Sequence, residues 1–90
     1  MDKTDKNKYS GPWFLYIAEC KDKRLYVGIA KDVDRRIKEH NIGNNCRYTK
    51  FRRPVKLLYK EQLPDYTKAR KKEAVVKKFS RKKKLALTVN

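Results

Sequence analysis

The sequence predicts a small α/β chain of the α+β kind: a three-stranded, mainly antiparallel sheet flanked by helices. Three observations predict it. Residues 13–20, Trp-Phe-Leu-Tyr-Ile-Ala-Glu-Cys, are almost wholly apolar and aromatic, as in a central strand covered on both faces. Lys21-Asp22-Lys23 then reads as a tight turn and residues 24–29 as a second strand, which together make a hairpin. Beyond the hairpin, capped helical stretches surround a third strand, giving the order strand, strand, helix, strand, helix.

Taken in order, residues 1–11 form a disordered basic leader running into the loop signal Ser10-Gly11-Pro12, and a single domain follows over residues 12–90. Tyr16 falls in the first strand and Tyr26 in the second, so a hairpin can bring both phenols to one end of the sheet. Gly28 is expected to end or bend the second strand as a structural turn, or to allow close backbone approach. Asp32 is the expected N-cap of the next helix, Val33 and Ile37 its apolar stripe and Gly43 its C-terminal stop. Residues 44–54 are a basic, aromatic loop carrying Arg47, Tyr48, Lys50, Arg52 and Arg53. Interleaved cations and rings suit phosphates and unstacked bases, and suit an ordinary exposed connection as well. Residues 55–61 alternate as a third strand. Asp65 caps a helix over 66–78 with Tyr66, Ala69, Val76 and Phe79 toward its buried side, and Ser80 starts a short basic helix with Leu85 and Leu87.

Length and charge narrow the function. Ninety residues suit one compact core. Twenty-six Lys and Arg against ten Asp and Glu give a net charge of +16, a field that attracts polyanions and repels copies of itself. Nucleic acid, DNA or RNA alike, is the expected partner, and a monomer the expected state. A membrane surface is disfavoured, because no helix pairs a basic face with a broad apolar one. No secretion signal and no bilayer-length apolar run are visible, which predicts a cytoplasmic, nucleoid-associated chain, or a nuclear one in a host with a nucleus. Cys20 and Cys46 have no zinc-ligand spacing and read as reduced, half-buried thiols.

Two places carry chemistry. Arg36 and His40 lie four positions apart and share one face of the first helix, next to a strand that offers Tyr26. His40 reads equally as a cation at the C-terminal end of that helix. Glu73 is the only acid between Lys68 and Lys84, among ten Lys and Arg, and shares the inward face of its helix with Tyr66, Ala69 and Val76. An i,i+4 pair with Lys77 explains it. So does a metal site, since a carboxylate is a hard ligand for Mg²⁺ or Mn²⁺ that phosphate and water can complete. Lys72 and Lys77 on the same helix are further candidate nucleic-acid contacts.

Phe14-Leu15-Tyr16, nine residues, Tyr26-Val27-Gly28, then Arg36 and Glu73 form an ordered set that resembles the GIY-YIG nuclease domain. The likeness covers residues 12–87. It is similar in particular to the small stand-alone branch, akin to the catalytic half of Slx1-type structure-selective endonucleases. Phe14 replaces the glycine of the first motif, and the chain has neither room nor ligands for the zinc-binding domain of Slx1-type proteins. The resemblance implies one-metal hydrolysis of a DNA phosphodiester, with a role in repair or recombination. Glu73 then holds Mg²⁺ or Mn²⁺, Arg36 neutralises charge on the phosphate, Tyr16 activates water, and Tyr26 orients water or phosphate. His40 contacts phosphate or relays a proton from Tyr16. A phenol with a pKa near ~10 is a poor base at neutral pH, so Tyr16 needs neighbouring positive charge. Tyr16 and Glu73 are then expected to converge at Gly28. The alternatives are a catalytically silent nucleic-acid-binding module on the same fold and a small basic RNA- or ribosome-associated protein. The second leaves the lone acid unexplained.

Overall fold

The apolar run that follows Pro12 becomes β1 (Trp13–Glu19), the middle strand of a three-stranded sheet. The computed structural model describes residues 10–43 and 52–89. β2 (Leu25–Ala30) pairs antiparallel on one side of β1 and β3 (Lys56–Leu63) antiparallel on the other. Both faces of β1 are buried as well, Tyr16 and Ala18 on one and Leu15 and Ile17 on the other, which is why its sequence shows no polar alternation. The hairpin turn closes through Lys23 N–H to the Cys20 carbonyl at 2.9 Å and Cys20 N–H to the Arg24 carbonyl at 2.8 Å.

Each face of the sheet has its own core. Tyr16, Ala18, Cys20, Ala30, Val33 and Val55 pack together beneath α1 (Val33–Ile42), with Tyr26 and Ile37 against them. Leu15, Ile17, Val27 and Val76 pack on the opposite face, beneath α2 (Tyr66–Lys77) and α3 (Arg81–Leu87). The three helices start at side-chain caps. Asp32 accepts from Arg35 N–H at 3.1 Å, Asp65 from Lys68 N–H at 2.8 Å and Ser80 from Lys83 N–H at 3.2 Å. α1 stops at Gly43, whose φ of 128° is a conformation side chains rarely adopt. The strand, cap and helix expectations are met within a residue or two.

One expectation is corrected. Gly28 neither ends nor bends β2. The strand runs on to Ala30, and Gly28 sits in the ladder directly opposite Tyr16. Its missing side chain serves close approach: a Cβ there would lie 2.7 Å from the Tyr16 hydroxyl and 3.0 Å from Cε2 of Tyr26. The turn into α1 is made by Lys31 and Asp32 instead. The leader, apart from Ser10 and Gly11, and Cys46, Arg47, Tyr48 and Lys50 lie outside the described residues. Among the described residues no helix is long and apolar enough to cross a membrane.

Candidate active site

The site forms at β2, an edge strand with α1 on one face of the sheet and α2 on the other. Tyr16 comes from the central strand and Tyr26 from the edge strand, both toward α1, with ring centroids 6.1 Å apart. Arg36 comes from the second turn of α1. Glu73 comes from α2, beyond the other face. All four, with Gly28 between them, line one open cleft of about 310 Å³. The convergence expected of Tyr16 and Glu73 is thus present.

The residues behind the cleft set its chemistry. His40 is fully buried and does not line the cleft. It lies behind Tyr16, with Nε2 2.9 Å from the phenolic oxygen, and its ring meets that of Tyr26 edge-on at 5.0 Å. A direct phosphate contact from His40 is therefore not part of this arrangement. Burial, with the Arg36 charge nearby, pushes the imidazole down to about 4, so it is neutral at physiological pH. Burial works against the Arg36 cation too. There the hydrogen bond to Glu39, at 3.1 Å, and the nearby Tyr16 and Tyr26 hydroxyls win, and its pKa is raised. Arg36 is thus a permanent cation, about a quarter exposed, in a cleft that both phenols also line.

The Glu73 side chain is 16% exposed and pairs with Lys77 at 3.3 Å and Arg70 at 3.8 Å. The Lys77 pair foreseen from the i,i+4 spacing exists, and it coexists with a carboxylate facing the cleft. Among the described residues no cluster of three His, Cys, Asp or Glu side chains occurs. A lone carboxylate in an open cleft fits a hard cation that takes its remaining ligands from water and phosphate. It does not fit an all-protein cage.

The other candidates are placed unevenly. Arg52 donates to Asp22 at 3.1 Å and Lys72 pairs with Glu61 at 3.6 Å. Arg53 donates to the Asn41 and Ile42 carbonyls at 3.3 and 3.0 Å, capping the C-terminal end of α1. Lys77 and Lys84 border a groove that meets the cleft at Tyr26. Reading the sequence did not single out four of the cleft residues, Trp13, Ile29, Tyr66 and Arg70, although it had set Tyr66 on the same helix face as Glu73. Helical spacing could have found two of them, since Tyr66, Arg70 and Glu73 follow each other at i+4 and i+3.

These positions can be set against known proteins. The pattern of the GIY-YIG catalytic domain matches residues 12–86. The chain belongs to the GIY-YIG family. Among its GIY-YIG relatives, a UPF0213 protein of Staphylococcus saprophyticus is 50% identical over 74 residues, covering 82% of this chain and 90% of that one. UPF0213 proteins of Staphylococcus aureus are 47% identical over the same length and the same shares. The solution structure of a UPF0213 protein from Bacillus halodurans superposes with a TM-score of 0.54 at 42% identity, over 84% of this chain and 81% of that one. The GIY-YIG resemblance and the α+β fold are borne out, and the relatives named above are UPF0213 proteins rather than Slx1-type ones. GIY-YIG domains are in general endonucleases, which makes a nuclease the general expectation for this site.

Proposed function

We propose that the protein is a divalent-metal-dependent endonuclease that hydrolyses DNA phosphodiester bonds. The observation that carries this reading is the meeting of Tyr16, Tyr26, Arg36 and Glu73, from four different elements, in one cleft over a glycine. Core packing accounts for the two rings, which pack beneath α1, and asks for neither the guanidinium nor the carboxylate that meet them.

In this reading Glu73 would hold one Mg²⁺ or Mn²⁺, which supplies positive charge and Lewis acidity to the scissile phosphate. Arg36 binds non-bridging oxygens through its planar donor fork and neutralises the charge that builds there. Tyr16 acts as its phenolate and takes the proton from the attacking water, becoming the neutral phenol, which returns that proton to solvent between turnovers, and Tyr26 holds that water or the phosphate in line. Water oxygen joins phosphorus, the bond from phosphorus to the 3′ oxygen breaks, and that oxygen takes a proton from solvent. His40 is assigned a positioning role. An imidazole with a pKa of about 4 is a poor relay for a phenolic proton at neutral pH. A neutral ring donating from Nε2 instead stabilises negative charge on the Tyr16 oxygen, alongside Arg36.

The biological reading extends to structure-selective cleavage in repair or recombination, as in Slx1-type enzymes, within the cytoplasm. Supercoiled plasmid, flap and branched DNA, and a matched RNA are incubated with Mg²⁺, Mn²⁺ or EDTA. The expected result is metal-dependent cleavage that Glu73→Ala and Arg36→Ala each reduce by at least about a hundredfold. Tight binding with no metal-dependent cleavage in the parent protein would leave only a nucleic-acid-binding module.

A further inference from the structure

The cleft has a second half that hydrolysis does not use. Trp13, Ile29, Tyr66 and Arg70 form it, beside Tyr16 and Glu73. Trp13 opens β1 and Tyr66 opens α2, and their rings meet edge to face at 4.8 Å and 69°. Arg70 donates to the Tyr66 hydroxyl at 3.1 Å, and its guanidinium carbon lies 5.9 Å from the centre of that ring. Neither ring is buried as a core pair would be; both are half-buried. Trp13 also borders the adjoining groove along α1, again with Ile29 and Arg36. It stands where the two depressions meet.

We infer that Trp13, Tyr66 and Arg70 form a nucleobase subsite that stacks the base of a nucleotide next to the cleaved phosphate. The inference rests on the nuclease reading for its placement, not for its chemistry. A phosphate held near Arg36 and Glu73 carries a sugar and base with it, and the aromatic half of the cleft is the adjacent surface. Aromatic rings and guanidinium planes stack on any base, so the subsite reads no sequence. It requires a base with a face to offer. Inside a duplex both faces are covered, so the base must be unstacked on at least one side. Arg70 ties the subsite to the chemistry, because the same guanidinium touches Tyr66 and Glu73.

Trp13 is the chain's single tryptophan, so its fluorescence reports this subsite alone. The intact protein is titrated in EDTA with an end-labelled single-stranded thymidine oligonucleotide, and with an abasic strand of equal length and phosphate count. Anisotropy gives affinity and tryptophan emission gives stacking. The oligonucleotide is expected to quench Trp13 and the abasic strand to bind without quenching. Tyr66→Leu is expected to weaken the oligonucleotide by about fivefold or more and leave the abasic strand unchanged. Tyr66→Phe, which keeps the ring, should retain the discrimination and controls for misfolding. Equal quenching by the two strands, or an equal loss of both in Tyr66→Leu, would overturn the subsite. No turnover is needed, so a catalytically silent protein can still pass this test, and an active nuclease can fail it.

Discussion

Gly28 is the residue on which the geometry turns. Across the ladder it faces Tyr16, and any Cβ would enter the space of the phenolic oxygen, at 2.7 Å, and of Cζ, at 2.8 Å. Tyr16 cannot retreat easily, because it is 1% exposed and His40 stands behind it. Gly28→Ala should therefore cost about 1–3 kcal/mol of stability by overpacking and at least about tenfold in kcat by moving the phenol. Urea denaturation and steady-state kinetics on one preparation check both. His40 makes a separate prediction through pH. Its folded pKa of about 4 lies below the ordinary 6.5, so the unfolded chain binds the proton more readily. Stability is then full above pH 6.5 and falls as pH drops toward 4, by about 3 kcal/mol for this residue at most. Urea midpoints across that window should slope less in His40→Gln than in the parent protein. Equal slopes would mean the buried imidazole does not hold its neutral form.

At the scale of elements, α1 must be held against the sheet for Arg36 and His40 to meet the tyrosines. Two contacts from the far end of the helix do this. The Asn41 amide donates to the Val55 carbonyl at 2.9 Å and accepts from Val55 N–H at 2.6 Å, while Arg53 caps the last carbonyls of α1. Arg53→Ala should therefore lower stability by about 1 kcal/mol, with little change in how DNA affinity responds to salt. A salt slope that drops by a full phosphate contact would show that Arg53 meets DNA, as its place in the basic loop suggested. The contrast shows what the sequence made legible. Asp32 and Asp65 could be named as caps, and Ser80 as a helix start, because a cap bonds within three residues. β1 could be named central because burial on both faces erases polar alternation. The Asn41–Val55 clamp could not be seen, since it joins residues 14 apart and neither side chain type announces it. Gly28 was singled out with a bend and a close approach both open, because a strand glycine signals either, and only the close approach is present. The pairing of Tyr16 with Glu73 across two faces of the sheet came only through the family likeness. Periodicity assigns a residue to a face and says nothing about which edge two faces share.

On the scale of the whole molecule, the excess of positive charge is not absorbed within the described structure. Asp22, Glu39, Glu61 and Glu73 already hold lysine or arginine partners, yet the chain carries +16. Cations, paired ones such as Lys77 and Arg24 among them, border the cleft and the groove beyond it. Lys77 and Lys84 line the groove that meets it at Tyr26, and Arg24, Arg81 and Lys84 line another beyond Leu25. Such a field should govern how nucleic acid arrives, whereas the four cleft residues should govern what happens to it. Two variants separate these roles. Lys84→Ala removes a cation from both grooves, and the slope of log affinity against log salt should shrink by about 0.9 on duplex DNA or about 0.7 on a single strand. Its kinetic penalty should fall on KM and fade as salt is raised, because screening weakens the same interaction in the parent protein. Glu73→Gln removes a negative charge from the cleft while nearly keeping its shape. In EDTA it should bind nucleic acid slightly more tightly than the parent, and in Mg²⁺ its turnover should collapse. Filter binding from 50 to 200 mM salt, with kinetics at each step, reads both. If Glu73→Gln weakened binding in EDTA, its carboxylate would be acting chiefly as the structural partner of Lys77 and Arg70, and the case for a metal ligand there would fail.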